Sequence, residues 1–154
     1  MQPLAEITTD TAILRKQSRR VDRRHNIEPV ISKMRHLMQQ HFGDMEPVGL
    51  SAIQVGVDLQ IITLASEGDH GPPLFILNPS LTKTRGTQMG DEMCLSVPGR
   101  QVRIRRPYQV TVAGMNDLRR PVRYRFKGFQ ARVCCHELDH LKGVLITDHE
   151  TGEQ

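Results

Sequence analysis

The amino-acid sequence predicts an α+β fold whose sheet is mostly antiparallel, organised as one domain over residues 1–154. Apolar residues recur at helical spacing only near the two ends of the chain, whereas short β-like runs fill the middle and outnumber the helices. The hydrophobic fraction of 38% and the charged fraction of 25% are typical of a soluble globular protein, which excludes disordered and fibrous classes. No apolar run approaches the roughly 18 residues of a membrane-spanning helix.

The first predicted element is a helix over residues 27–42. Six apolar residues recur within it at spacings of three and four and so form one stripe: Ile27, Val30, Ile31, Met34, Leu37 and Met38. Asn26 can cap its start, Pro29 is tolerated in its first turn, and Gly43 can end it. The stripe indicates a face that packs against the core. Residues 46–56 follow and are too irregular to assign.

The middle of the chain is predicted to form short strands that are bounded by turn residues. These strands are rich in β-branched and apolar residues, and they cover residues 59–65, 74–77, 102–105, 109–113 and 122–126. Asn78-Pro79 is predicted to end the second of them in a turn. Residues 90–99 are polar and rich in turn formers, which favours a connecting segment there.

The last predicted helix covers residues 129–141 and ends at Gly143. Four of its residues fall on one face: Phe129, Val133, His136 and His140. Residues 144–147 are predicted to form one more short strand after this helix.

Arginine dominates the charge of the chain. The formal net charge is +4, with 16 Arg against 5 Lys, and Arg side chains suit phosphates, so RNA binding is one function class to weigh. Pairs such as Arg103 and Arg105, or Arg123 and Arg125, alternate as on the exposed face of a strand. The aromatic fraction is 4% and Trp is absent, so surfaces on which bases could stack are scarce. We therefore predict no specific nucleic-acid partner.

The cysteines and the N-terminal residues predict a cytoplasmic protein. Three Cys are present, and Cys134 and Cys135 are adjacent, so a disulfide framework is not expected. Glu6 and Asp10 interrupt the first residues, which leaves no apolar segment for a secretory signal. We expect cysteines that are free or bind metal and no membrane partner, and a monomer is slightly favoured over an oligomer.

A pair of histidines indicates a metal site. His136 and His140 are four residues apart on the predicted helix, so both imidazoles project from one face and can bind a single ion. Glu137 follows the first histidine and can act as a general base beside that ion. The alternative is an exposed polar helix face that arises by chance.

A catalytic metal needs a third protein ligand. The metzincin pattern would place a histidine where Ile146 stands, so a metalloprotease of that class, or another amidase, is disfavoured. Cys134 and Cys135 project elsewhere on the helix and are interpreted as small core residues. Cys94 lies in a polar passage and has little packing reason to be there. With the two histidines it would form a Cys/His₂ site that keeps one position open.

The chain resembles the peptide deformylases, because three short motifs of that family occur here in order. Residues 47–54, PVGLSAIQ, are similar to the family motif G-x-G-L-A-A-x-Q. Residues 92–96, EMCLS, are similar to the motif E-G-C-L-S. Residues 135–140, CHELDH, are similar to the motif Q-H-E-x-D-H. The similarity runs over residues 13–148. It implies antiparallel sheets packed around a central C-terminal helix that carries the HExxH motif, with an N-terminal helix.

The resemblance also implies an activity, which is the hydrolytic removal of the N-formyl group from formyl-methionyl nascent peptides, with release of formate. Cys94, His136 and His140 would hold one divalent metal ion, which is Fe²⁺ by preference, with Zn²⁺, Ni²⁺ or Co²⁺ as substitutes. Glu137 would carry a proton from water to the leaving amine.

Substrate contacts follow from the same resemblance. The Gln54 side-chain amide and the Leu95 backbone N–H would face the formyl oxygen as it gains negative charge. Gly49 would offer its backbone to a substrate that binds as an extra strand. The pocket for the methionine side chain would be lined by Val48, Phe129 and Val133.

Four residues depart from the motifs of the family, at Pro47, Ser51, Met93 and Cys135. None of them is an expected metal ligand or general base, so we expect the chemistry to survive and the substrate preference or rate to shift. The alternative is a catalytically silent protein of this fold that binds peptide N-termini.

Proximity to the ribosome stays open as a further expectation. Many relatives continue into a C-terminal helix that is associated with ribosome docking, whereas this chain ends at Gln154. The arginine clusters are an alternative means of docking.

Overall fold

The structure, a computed structural model, describes residues 7–41, 47–66 and 71–150. Within these ranges the α-helices are α1 (Thr11–Leu14), α2 (Glu28–Met38) and α3 (Gly128–Leu141). The strands are β1 (Gly49–Ser51), β2 (Ile61–Leu64), β3 (Leu74–Arg85), β4 (Gln88–Cys94), β5 (Val97–Arg106), β6 (Gln109–Met115) and β7 (Pro121–Lys127). Two 3₁₀ helices follow β1 and α3, at Ala52–Val55 and Ile146–His149.

The described strands form a five-stranded antiparallel sheet and a separate hairpin. The sheet has the order β1-β2-β3-β6-β7, so β1 lies at one edge and β7 at the other. Strands β4 and β5 pair antiparallel with each other outside that sheet. Helix α3 contacts both β1, at one edge of the sheet, and β5 of the hairpin.

The central strands of the sheet are apolar on both faces. Ile61 and Leu77 pack with α2 residues in one core cluster. Ile62 and Ile76, their neighbours in the chain, pack with residues of α3, β6 and β7 in another. Successive strand residues point to opposite faces, so the continuous apolar runs of β2 and β3 place α2 on one face and α3 on the other. This is the α+β arrangement with a buried C-terminal helix that the sequence predicts.

Helix α2 is shorter than predicted. It begins at Glu28 and ends at Met38. Pro29 lies in its first turn, as expected, and Asn26 accepts a 3.4 Å hydrogen bond from the Glu28 backbone. The predicted end at Gly43 lies outside the described residues, as do the start of the irregular segment at residue 46 and the chain end at Gln154.

The predicted turn at Asn78-Pro79 is wrong. Strand β3 continues through both residues to Arg85, with an irregular register between Leu77 and Ser80. Asn78 takes a positive φ of 53°, and its side-chain amide exchanges two hydrogen bonds, of 2.8 and 3.0 Å, with the backbone of Val21. The turn-forming pair therefore produces a bulge, because the amide side chain supplies the bonds that a strand partner would make.

Two further expectations about local structure are wrong. Residues 90–99 form most of a β-hairpin, because only Leu95 and Ser96 turn the chain between β4 and β5. The strand expected over 144–147 is absent, and a 3₁₀ helix begins at Ile146. Asp148 explains the second error, since its carboxylate accepts a 2.9 Å hydrogen bond from the Leu145 backbone and curls the chain.

No helix among the described residues is long and apolar enough to cross a membrane.

The Asp148 carboxylate also joins the two ends of the fold, and we expect its replacement to weaken them. Arg15 donates to Asp148 Oδ1 at 2.8 Å and to the Gly143 carbonyl oxygen at 2.9 Å. The hydrogen bond from Arg15 lowers the pKa of Asp148 to about 2. Asp148→Asn should lower the free energy of unfolding by about 1 kcal/mol near neutral pH, because the two side chains are 42% and 36% exposed and solvent weakens the pair.

The stabilisation by the Asp148 carboxylate depends on pH in a direction that the pKa of this group determines. The folded-state pKa lies below the usual 3.8, so the carboxylate stabilises the fold above that pH and loses its effect as the pH falls through about 2. Urea unfolding of the wild type and of Asp148→Asn should therefore differ near neutral pH and converge in acid. Arg15→Met and the variant with both substitutions complete a double-mutant cycle. This cycle separates the free energy of the Arg15–Asp148 ion pair from that of the hydrogen bond between Asp148 and the Leu145 backbone. A constant difference down to the acid limit would contradict this account.

Candidate metal centre

Helix α3 brings the two histidines together. It begins after Lys127 and runs without Pro to Leu141, and Gly143, at φ 76°, follows its end. His136 and His140 therefore stand one turn apart, with ring centroids separated by 5.1 Å. The helix places both rings on the side that faces the hairpin.

Cys94 arrives from the hairpin, at the end of β4. A register shift between Glu92 and Cys94 turns the thiol toward the helix. Cys94 Sγ lies 3.4 Å from His140 Nε2, and one ligand atom from each of Cys94, His136 and His140 lies within 4.8 Å of the others. A thiolate and two imidazoles in this proximity fit a tetrahedral divalent ion with one position left for a reactant.

A buried carboxylate orients the first histidine. His136 Nδ1 lies 3.0 Å from Glu92 Oε1, which fixes the ring and leaves its other nitrogen toward Cys94. Arg106 donates to both oxygens of Glu92 at 2.8 Å, and Arg132 donates to Oε2 at 2.7 Å. Burial would raise the pKa of Glu92, yet the hydrogen bonds from Arg106 and His136 bring it down to about 2. The carboxylate is therefore charged at neutral pH.

The electrostatics around the two histidines favour a cation. Burial lowers the pKa of His136, but its hydrogen bonds to Cys94 and Glu92 outweigh burial and hold that pKa well above its usual range. His140 is buried with fewer partners, and burial lowers its pKa to about 3. Negative groups around His136 thus favour a cation at this position, and His140 is neutral, which is the protonation state in which an imidazole binds a metal ion.

Glu137 is buried beside this cluster. Burial raises the pKa of its carboxyl to about 7, although the nearby His136 opposes the rise. Its Oε1 is buried and has no hydrogen-bond partner among the described residues. Gly49 makes the position possible, because a Cβ there would stand 2.7 Å from Val133 Cγ1 and 2.8 Å from Glu137 Oε2. The bare backbone of β1 therefore packs directly against the acid.

Gln54 reaches the cluster from the 3₁₀ helix after β1. Its Oε1 accepts hydrogen bonds from the Ser51 backbone at 3.0 Å and from the Ser51 hydroxyl at 3.3 Å. Its Nε2 lies 3.1 Å from Ser96 Oγ and 3.8 Å from Cys94 Sγ. Ser51, one of the four departures, thus gives its buried hydroxyl a partner and helps to fix the direction of the Gln54 amide.

A cavity of about 300 Å³ opens onto these groups. It lies between the edge of β1 and the hairpin strand β4. Nine of the ten predicted site residues line it, namely Val48, Gly49, Gln54, Cys94, Leu95, Phe129, Val133, His136 and Glu137. The tenth, His140, is buried behind them against Cys94.

The other departures from the motifs lie in different places. Pro47 and Met93 line the cavity, and Met93 is 52% exposed at its mouth. Cys135 is buried in the core on another side of α3, where burial raises the pKa of its thiol to about 11. Cys134 is buried in the same cluster, so both adjacent cysteines are core residues as predicted.

Sequence reasoning missed the charged residues that support the ligands. Arg106 is buried, and it bonds Asp139 at 2.7 Å as well as Glu92. His149 Nε2 lies 3.0 Å from the same Asp139 oxygen. Glu92 and Asp139 belong to the quoted motifs, so their acidic character was the available signal. Arg132 gave no signal apart from its place on the histidine face of α3.

Comparisons with known proteins agree on one family. The model of the family Polypeptide deformylase matches residues 3–154. A peptide deformylase of Alkaliphilus metalliredigens is 37% identical over 142 residues, which make up 92% of this chain and 92% of that protein.

Two solved structures show the same likeness. The crystal structure of a peptide deformylase from Legionella pneumophila has a TM-score of 0.84 and 29% identity, and the match covers 94% of this chain and 84% of that chain. The Met-Ala-Ser bound structure of a class I type b peptide deformylase from Acinetobacter baumannii has a TM-score of 0.81 and 25% identity, and covers 93% and 96% of the two chains.

Glu92→Gln is expected to weaken metal binding by about 10- to 100-fold. The neutral amide orients His136 less firmly than the carboxylate does. It also removes a negative charge from beside the buried guanidinium groups of Arg106 and Arg132. Competition between the protein and a chelator for Zn²⁺ measures this change. Asp58→Asn is the control for loss of an acid, since the Asp58 carboxylate lies 3.0 Å from the exposed Arg19 and does not line the cavity. Equal metal affinity in Glu92→Gln and the control would contradict the role given to Glu92.

Proposed function

The chain belongs to the polypeptide deformylase family, and we propose that it hydrolyses the N-formyl group of formyl-methionyl peptides to release formate and a free amino terminus. One observation carries the proposal. Glu137 is a buried carboxyl group with an unpaired oxygen, and it faces the same cavity as Cys94, His136 and the Gln54 amide. This set combines a metal-ligand cluster, a proton carrier and a hydrogen-bond donor within one small space.

Cys94, His136 and His140 would hold the metal, and their thiolate and imidazole donors fit a divalent ion of the first transition series. When bound, the metal supplies Lewis-acid chemistry, which polarises a carbonyl and lowers the pKa of water. The order of metal affinity leaves iron, cobalt, nickel and zinc all compatible with these donors. Fe²⁺ as the resident ion is therefore a prediction from the family resemblance.

Glu137 is assigned the proton transfers. It takes a proton from water as the new carbon–oxygen bond forms at the formyl carbon, and it gives that proton to the nitrogen as the carbon–nitrogen bond breaks. A pKa of about 7 suits both steps, because the group can accept and release a proton at the same pH. Its burial beside Gly49 keeps the carboxyl group within the cavity wall.

Gln54 and Leu95 are assigned the developing negative charge. The Gln54 amide is held by Ser51 on its oxygen side, so its N–H₂ end stays in the site. Leu95 lies in the two-residue turn of the hairpin and lines the cavity, and its backbone N–H is the proposed second donor. Donors that are fixed before the reaction stabilise an oxyanion by about 3–4 kcal/mol each.

The peptide is proposed to bind along the edge of β1. Strand β1 pairs with β2 on one side and has no second partner among the described strands. An extended peptide there would bond to the Gly49 backbone, and Pro47, which lacks an N–H, would limit the bonds at the start of the strand. The first side chain would then lie against Val48, Phe129 and Val133. The related Acinetobacter baumannii protein, which is Met-Ala-Ser bound, supports a site for a short peptide.

The remaining expectations about this protein stay predictions: a single domain, a cytoplasmic location, a monomeric state and proximity to the ribosome.

Formate release from formyl-Met-Ala-Ser tests the proposal, with protein that is loaded anaerobically with Fe²⁺ or separately with Ni²⁺. Glu137→Gln should lower kcat by about 10²- to 10⁴-fold, because general acid–base catalysis contributes an effect of that size. Metal content of wild type and variant, measured by mass spectrometry, should be equal.

Glu150→Gln is the control for loss of an acid, since Glu150 lies near the surface and pairs with Arg100 away from the cavity. Retained turnover in Glu137→Gln would refute the mechanism. Wild-type protein that contains metal, binds the peptide and releases no formate would instead favour the silent binding protein.

A further inference from the structure

The cavity wall contains a buried arginine that the reaction does not use. Arg132 lies one helical turn before His136 and is 5% exposed. Its hydrogen bonds leave from Nη1, to Glu92 at 2.7 Å and to the carbonyl oxygens of Ile104 at 3.1 Å and Gly90 at 3.4 Å. Its Nη2 is buried and has no partner in the described part of the chain. A buried donor without an acceptor destabilises a protein, so its presence requires an explanation.

The absence of a side chain at Gly90 leaves room for the guanidinium of Arg132. A Cβ on Gly90 would stand 2.8 Å from Nη2, 2.9 Å from Cζ and 3.1 Å from Nε of Arg132. These similar distances place the glycine over the flat face of the guanidinium, near the edge that carries Nε and Nη2. That edge presents two parallel N–H groups, the arrangement with which arginine binds planar or oxygen-tipped groups.

The arginine lies in the cavity wall beside apolar side chains. Val48, Met93 and Phe129 are 41%, 52% and 64% exposed and form the mouth. Arg132 and Val133 are buried and form the inner wall. A side chain that enters at the mouth would point toward Arg132, and a small shift of the guanidinium would bring the buried Nη2 into contact with its tip.

The charges around the guanidinium favour a neutral partner. Glu92 already pairs with Arg132, and Glu137 and Asp91 also line the cavity. A second carboxylate would meet these acids, whereas a neutral oxygen would accept from Nε and Nη2 without repulsion.

We propose that Arg132 makes this pocket selective for a first side chain that ends in a neutral hydrogen-bond acceptor, and that N-formyl-methionine sulfoxide termini are a substrate class. The sulfoxide keeps the unbranched chain of methionine and adds an oxygen on the sulfur, near the tip. This inference rests on the proposed function. The bonds that break and form at the formyl group are the same as for methionine.

Binding of three tripeptides tests the inference independently of turnover. The peptides are Xaa-Ala-Ser, in which Xaa is methionine sulfoxide, methionine, or norleucine, which has the shape of methionine without the acceptor. Titration calorimetry on the metal-loaded protein should show binding of the sulfoxide about tenfold tighter than that of norleucine, because hydrogen bonds to a charged donor are the strong class. Formate release from the formylated peptides is measured in parallel.

Two variants assign the preference to the arginine. Arg132→Met removes the donors at similar length and should bring the ratio of sulfoxide to norleucine affinity close to one. Gly90→Ala retains every charge but displaces the guanidinium, and should lower the same ratio if Arg132→Met does not fold. Arg125→Met is the control, because Arg125 is an exposed arginine on β7 and should leave the ratio unchanged.

Equal affinity for sulfoxide and norleucine in the wild type would overturn the inference. A uniform loss of affinity for all three peptides in Arg132→Met would also overturn it, because the residue would then be structural. A sulfoxide preference without formate release would support the role of Arg132 and contradict the proposed function. Formate release without a sulfoxide preference would support the proposed function and contradict the role of Arg132.

Discussion

The buried carboxylate of Glu92 is the interaction on which the rest of the site depends. It receives hydrogen bonds from Arg106 of β5 and Arg132 of α3, and it orients His136. The hairpin does not belong to the main sheet, so these bonds, together with the small apolar cluster that includes Ile146, fix its distance from α3. Removal of Glu92 would leave the buried Arg132 without its carboxylate partner, which is more costly than the pair is stabilising.

The arrangement of β1 and the hairpin around α3 explains why the cavity lies where it does. Strand β1 ends the large sheet and β4 belongs to the hairpin, and α3 packs between them. Close packing at Gly49 places Glu137 against β1. The register shift before Cys94 turns the thiol of β4 toward α3. The candidate site residues therefore come from three elements that are distant in sequence but lie around one cavity.

The sequence was sufficient for the architecture and for most of the site, and the reasons differ. Periodicity predicted α2 and α3, because each buries one continuous stripe or face. The HExxH spacing and the motif around Cys94 predicted the ligands, because helical geometry and donor chemistry constrain them strongly. Local turn signals failed at Asn78 and in residues 90–99, where long-range hydrogen bonds and strand pairing override them. Alternation along β5 predicts an exposed face for Arg103 and Arg105, but it cannot reveal that Arg106 on the other face meets Glu92 and Asp139.

The division of the ligands between the hairpin and α3 has a consequence for the stability of the whole chain. Cys94 and His140 are 46 positions apart in sequence, and a metal ion that joins them would close a loop of that length. Such a closure removes conformational freedom from the unfolded chain, in the way that a disulfide does, although the linkage is reversible and depends on protonation of the thiol and imidazoles. A metal ion bound at this centre would thus also act as a cross-link between the hairpin and α3.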